Sequence, residues 1–138
     1  MNKTAYQFFR LRLEESIVGY MRYLKPERPY FSKDKLWWTG QSIPYSAKDS
    51  YSETLDINKQ WIFEKDICTF KPIKKTSDPF STVILCDQNS FNFIAIRTDT
   101  YEKIEKKDWV NYKITILSTL FYNEELQERL EEKGLLND

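Results

Sequence analysis

The chain has 138 residues, 21 basic and 21 acidic side chains, no histidine, two cysteines and 22 aromatic residues, a size and composition that fit one compact domain. Without histidine, every imidazole-based triad, proton shuttle or metal site is excluded. A formal net charge of zero removes the simplest case for nonspecific duplex binding or a polybasic membrane anchor, although a local patch stays open.

No apolar run approaches the ~20 residues of a spanning helix, and the opening MNKTAYQFFRLRLEES lacks the apolar block of a secretory signal. The expectation is a cytoplasmic protein with no membrane contact. Charge is uneven in position: residues 1–75 hold 14 basic and 9 acidic side chains, residues 76–138 hold 7 and 12. Aromatic residues follow the basic charge, with 14 of 22 before residue 71.

In chain order, FFRLRL (8–13) sets Phe9, Leu11 and Leu13 against Arg10 and Arg12 with the two-residue period of a half-buried strand. IVGYMRYL (17–24) is a second strand, and the short step at Glu14-Glu15-Ser16 predicts a hairpin between them. KPERPYFS (25–32) reads as a loop, because Pro26 and Pro29 each remove a donor. Residues 41–52, rich in Ser, Asp and Tyr around Pro44, read as another loop. WIFEKDICTF (61–70) predicts a core strand, straight or bent, ended by Lys71-Pro72. TVILCD (82–87) and FNFIAIRT (91–98) predict a hairpin, and WVNYKITILSTL (109–120) a final strand.

After Asn123 the period changes. Asn123 is a good N-cap, Glu124 and Glu125 suit a helix start, and Leu126 and Leu130 share one face. Gly134 supplies a left-handed stop, with Leu135 placed to contact Leu130. The fold class expected is all-β or β-rich α+β, a small antiparallel barrel or packed sheets with a short C-terminal helix, in a single domain over 1–138.

Two segments resemble the YopX family of small phage and prophage proteins. YSETLDINKQWIFEKDIC (51–68) is similar to that family's run of Tyr-Thr-Gly, an Asp-x-Asn turn, then Ile, an aromatic and Glu-Gly-Asp-Ile, with Asp56, Asn58, Ile62, Phe63, Glu64, Asp66 and Ile67 matching. ILSTLFYNEEL (116–126) resembles its closing pattern at Leu120, Phe121, Asn123, Glu125 and Leu126. Gly19-Tyr20 is similar to a pair in its N-terminal hairpin. Where the family has glycine this chain has Glu53, Lys59, Lys65 and Ser118, and Glu124 stands in place of a proline. Glycine serves where φ is positive or backbones come close, so these turns are expected to be rebuilt. The resemblance implies a compact β domain from a phage or integrated element and brings no catalytic residues.

The candidate sites each have a plainer structural counterpart. Glu64 and Asp66, two apart, suit a cation or acid/base pair, or else accept N–H groups of the adjacent turn. Cys68 and Cys86 lack the spacing and partners of a zinc or redox motif, and a hairpin symmetric about Ser77 would set them opposite each other as reduced thiols. Arg10, Arg12, Lys71, Lys74 and Lys75, with nearby aromatics, suit a single-stranded nucleic-acid surface, or else are the solvated face of ordinary strands.

On a strand, Trp37 and Trp38 point to opposite faces, so burying one exposes the other as a partner contact or oligomer interface, unless loop 41–52 covers it. No catalytic residue, metal or cofactor is predicted. The expected function is non-enzymatic: a phage or prophage accessory protein that binds a host or phage protein. The alternative is a single-stranded nucleic-acid-binding module using the basic, aromatic N-terminal half.

Overall fold

The computed structural model describes residues 7–25, 28–74, 77–87, 90 and 92–136. The fold is β-rich α+β, with antiparallel sheets and one short C-terminal helix. The chain divides into two compact units, one up to Tyr51 and one from Ser52.

In the first unit β1 (Gln7–Leu13) and β2 (Ser16–Lys25) form the expected hairpin, turning through Glu14-Glu15 with Glu14 at φ 58°. Its register shifts where Leu11 faces Gly19 and Arg12 faces Ile17, leaving Val18 as the extra residue of a bulge. β3 (Arg28–Ser32) pairs with β2, and β4 (Ala47–Leu55) pairs with β1. β3 corrects the sequence reading of a loop at 25–32, and β4 corrects the second half of the loop read at 41–52, whose residues 41–46 do lie outside regular structure.

Pro29 is tolerated because β3 is an edge strand. Phe31 exchanges both backbone hydrogen bonds with Thr39 on the outer side, and Pro29, two residues earlier, faces that same side, where a missing N–H breaks no ladder bond. β4 is a strand despite its polar sequence because Asp49 and Ser50 are buried rather than solvated. The apolar core of this unit is small: Phe9, Leu11, Met21 and Phe31, with Val18, Tyr23 and Ile43 packed against them. Gly19 makes that packing possible, since a Cβ there would lie 2.8 Å from both the Ile43 Cδ1 and the Ser32 carbonyl oxygen.

In the second unit the end of β4 turns through Asp56–Gln60 into β5 (Trp61–Phe63). The chain then builds an antiparallel sheet from β6 (Asp66–Pro72), β7 (Phe80–Cys86), β8 (Phe93–Arg97), β9 (Lys103–Glu105) and β10 (Tyr112–Thr119), in the order β10-β6-β7-β8-β9. The β7–β8 hairpin is as expected, although parts of its turn lie outside the described residues. Residues 61–70 are two strands, not one, because Lys65 at φ 72° turns the chain. Trp109 sits in a 3-10 helix (Lys106–Asn111) before β10, not in the strand, and is buried there with its indole N–H on the Ile104 carbonyl.

Strand alternation gives this sheet two apolar faces. Cys68, Phe70, Ile84, Phe93, Ala95 and Ile114 form one core with Ile62 and Trp109. Ile67, Val83 and Ile96 form another with Leu120, Leu126 and Leu130. The last two dock α1 (Glu124–Glu132), whose start is capped by the Asn123 side chain accepting the Leu126 N–H. At its end Gly134 takes φ 71°, its N–H bonds to the Glu131 carbonyl and the Leu135 N–H to the Leu130 carbonyl. These are the paired bonds of a Schellman cap, as the sequence predicts. Among the described residues no helix is long and apolar enough to cross a membrane.

Candidate functional site

The exposed tryptophan is held by the backbone that precedes it. Ser32, at the end of β3, accepts N–H bonds from Asp34 and Lys35 through its hydroxyl oxygen and donates to Asp34 Oδ1. That carboxylate oxygen also accepts the N–H groups of Leu36 (2.8 Å) and Trp37 (3.1 Å). Those two backbone donors are the largest reason why the Asp34 carboxyl lies below its ordinary range. A Ser-x-Asp turn therefore fixes residues 32–37, with Lys35 at φ 69°.

The two tryptophans separate as expected, one covered and one exposed, although they lie on this turn and not on a strand. Trp38 is half-buried, its indole N–H on the Lys35 carbonyl, its ring edge-on to Phe8 and under the Arg22 guanidinium at 4.4 Å. Trp37 is 80% exposed and its neighbour Leu36 79% exposed. Among the described residues the Trp37 side chain has no hydrogen-bond or ring partner. It forms one wall of a cleft of about 450 Å³, together with Phe31, Ile43, Pro44, Lys33 and Gln41. Residues 41–46 thus do not cover Trp37; they line the same cleft or lie beside it.

Arg10 and Arg12 are placed differently from either sequence reading: both are buried. Arg10 donates from Nε to Asp49 Oδ2 at 2.9 Å, and Arg12 donates to both oxygens of the same carboxylate at 2.9 and 2.8 Å. The pattern that suggests an exposed basic face cannot reveal this, because the carboxylate comes from a strand 37 to 39 residues away. Other cations of this unit lie over aromatic rings. Lys35 sits above Tyr20 at 5.1 Å, and Lys48 above Phe9 at 4.4 Å and Tyr23 at 5.8 Å. Lys71 and Lys74 are exposed and belong to the second unit; Lys75 lies outside the described residues.

Of the two carboxylates, Asp66 takes the plainer role, while Glu64 is buried in the turn between β5 and β6. Asp66 is buried and accepts the Phe63 N–H at 2.8 Å, so it closes the turn around Lys65. Among the described residues no three His, Cys, Asp or Glu side chains converge as metal ligands. The cysteines are not opposite each other: β6 and β7 pair with Cys68 facing Thr82, and Cys86 faces Phe93 on β8. The hairpin is centred two residues earlier than Ser77, which moves the expected partner four residues along β7, roughly 13 Å at strand rise. Burial pushes the Cys86 thiol up to about 12, helped by the nearby Glu64 and Asp87 charges.

Sequence reasoning missed Asp49 as the partner of the two arginines and Leu36 as the companion of Trp37. For Leu36 a signal was present: Ser32 and Asp34 stand two apart just before the apolar pair, which is turn chemistry that leaves the following side chains outside. No family model, curated protein or solved structure matches the chain.

Proposed function

We propose that this chain is a YopX-like accessory protein of a phage or prophage, without enzymatic activity, that works in the bacterial cytoplasm by binding a host or phage protein through Leu36 and Trp37. The observation that carries the binding reading is the pairing of exposure with rigidity. Two large apolar side chains stand almost fully in water, while the N–H groups of both residues are fixed on one carboxylate. A preorganised aromatic anchor loses little freedom when it is covered, which is how binding hot spots gain their energy.

The family reading draws support from the backbone. Three of the four positions where the YopX pattern has glycine, Glu53, Lys59 and Lys65, have φ of 64°, 64° and 72°, the left-handed region that favours glycine. Glu53 takes this conformation inside β4, and Lys59 and Lys65 take it in the turns on either side of β5. At the fourth, Ser118 follows a shift in the β6–β10 register.

The nucleic-acid alternative loses two of its cations to Asp49, and several ring faces of the basic half lie under cations of this same unit. The test is affinity capture from infected or lysogenic cells with the wild-type chain and Trp37→Ala. The expected outcome is a protein retained by the wild type and lost by about thirtyfold in the variant, the factor of an anchor worth ~2 kcal/mol, with melting unchanged. Equal capture by both chains overturns the reading.

A further inference from the structure

We infer that Arg22, Arg28 and Tyr30 form a binding site for a phosphate monoester. The site goes beyond the Leu36 and Trp37 contact and does not depend on it.

The first ground is a guanidinium that is held in place but left unpaired. Arg22 stands opposite Phe8 on β1 and Tyr30 on β3, so the three side chains share one face of the sheet. The guanidinium lies 4.4 Å from the centre of the Trp38 ring, which is itself edge-on to Phe8. Stacking on an aromatic ring fixes the guanidinium plane and leaves its donor edge open. On the same face Arg10 and Arg12 both direct Nε to Asp49, whereas Arg22 Nε is buried with no hydrogen-bond partner. Among the described residues the rest of the Arg22 guanidinium makes no ion pair or hydrogen bond either. A buried donor without an acceptor is destabilising, and a bound oxyanion removes that cost.

The second ground is what surrounds it. Arg28, two residues before Tyr30 on β3, faces the same side and is exposed. It lies diagonal to Arg22, a spacing of about 7–8 Å in a regular ladder and within reach of two long side chains. Neither Arg28 nor the Tyr30 hydroxyl has a partner among the described residues. The neighbouring positions on this face, Phe8, Arg10, Tyr20 and Ser32, include no carboxylate. Asp34, in the turn before Trp38, lines the Trp37 cleft and forms no ion pair with Arg22. Glu27 lies outside the described residues.

Charge selects the ligand. Two unpaired guanidiniums match a phosphate monoester, which carries about −1.5 to −2 at neutral pH and offers three terminal oxygens. A carboxylate or a phosphodiester brings one charge and leaves one arginine unmatched. The guanidinium forks take two of the oxygens, and the Tyr30 hydroxyl donates to the third.

The experiment follows the isotope-labelled full chain by NMR, with the Arg22 Nε–H signal assigned from Arg22→Lys and the Trp38 indole signal from Trp38→Phe. The ligands are inorganic phosphate, a phosphoserine tripeptide, the same peptide with glutamate, adenosine monophosphate, and an oligothymidylate with hydroxyl ends. Phosphate, the phosphoserine peptide and the mononucleotide are expected to move both signals, and the glutamate peptide to bind about tenfold more weakly. Whichever monoester binds tighter identifies the source, a modified protein side chain or a free nucleotide; equal affinities assign the site to the phosphate alone.

Arg22→Lys keeps the charge and removes the fork, so it is expected to weaken phosphate about tenfold, as is Arg28→Ala, with circular dichroism unchanged. Arg28 is exposed, so its variant decides the matter if Arg22→Lys does not fold. The inference is overturned by a glutamate peptide that binds as tightly as phosphoserine, or by an oligothymidylate that matches the mononucleotide. It is also overturned if neither signal moves at about 10 mM phosphate, or if affinity survives intact in the arginine variants that fold.

Discussion

In the first unit the central contact of β4 is a buried carboxylate shared by two buried arginines, whereas the sheet of the second unit fills its interior with Phe70, Ile84, Val83, Ile96 and two helix leucines. The first holds its strands together by directed charge and has an apolar cluster of four buried residues. The second follows binary patterning with apolar residues on both faces of the sheet. Directional contacts fix register at small core size; apolar layers contribute more burial and tolerate more change. The unit with the smaller apolar core is also the one that leaves Leu36 and Trp37 in water.

The largest expected effect breaks the charged side of this contrast. Asp49→Ala takes the shared carboxylate away from two buried guanidiniums and is expected to destabilise by about 3–5 kcal/mol, the range for removing one partner of a buried ion pair. Urea unfolding followed by tryptophan emission measures it. Replacing Arg10, Arg12 and Asp49 together with apolar residues of similar volume is expected to cost far less, because no charge is then left buried. A cost for Asp49→Ala below 1 kcal/mol would show that β4 is held by its backbone ladder alone.

The next effect probes the apolar side. Leu130 is fully buried on the inner face of α1, so Leu130→Ala is expected to cost about 2–5 kcal/mol through lost transfer energy and the cavity left behind. A chain ended after Asn123 is expected to melt lower for the same reason. Unchanged melting of either variant would make α1 an appendage and would remove one of the two faces from the comparison.

The second unit was largely legible in the sequence and the first only in part, for a physical reason. Alternating Val, Ile and Phe in β7 and β8, and the Asn123, Leu126, Leu130 and Gly134 positions of α1, act locally, so a single stretch of chain carries the whole signal. β4 carries no such signal: Ala-Lys-Asp-Ser-Tyr-Ser becomes a strand because Arg10 and Arg12 await its carboxylate. The Cys68–Cys86 register failed for a related reason, since hairpin centre is set by loop geometry and not by the strands' composition. At the candidate site the exposed tryptophan was readable, but the turn that holds it and the companion leucine depended on Asp34 choosing backbone partners over solvent.

The smallest expected effect tests the left-handed turns of the second unit, and it runs towards higher stability. Lys65 turns the chain at φ 72°, with its N–H on the Ile84 carbonyl and its carbonyl accepting the Leu120 N–H, so the conformation is imposed from both sides. Lys59 at φ 64° closes the turn in which Asp56 accepts the N–H groups of Asn58 and Gln60 and, from its other oxygen, that of Ile116. A residue with a Cβ loses roughly 1–2 kcal/mol in this region, and glycine avoids that loss while giving back about 0.5–1 kcal/mol in unfolded-chain entropy. Lys59→Gly and Lys65→Gly are each therefore expected to stabilise by about 0.5–1 kcal/mol in urea unfolding. Alanine at the same positions keeps the Cβ and is expected to gain nothing. If glycine and alanine behave alike, the stored strain is absent and the lysine side chains themselves determine stability at these turns. If glycine alone stabilises, Asp56 and the sheet hold two unfavourable backbone conformations in place, at positions where the YopX pattern uses the residue that needs no such restraint.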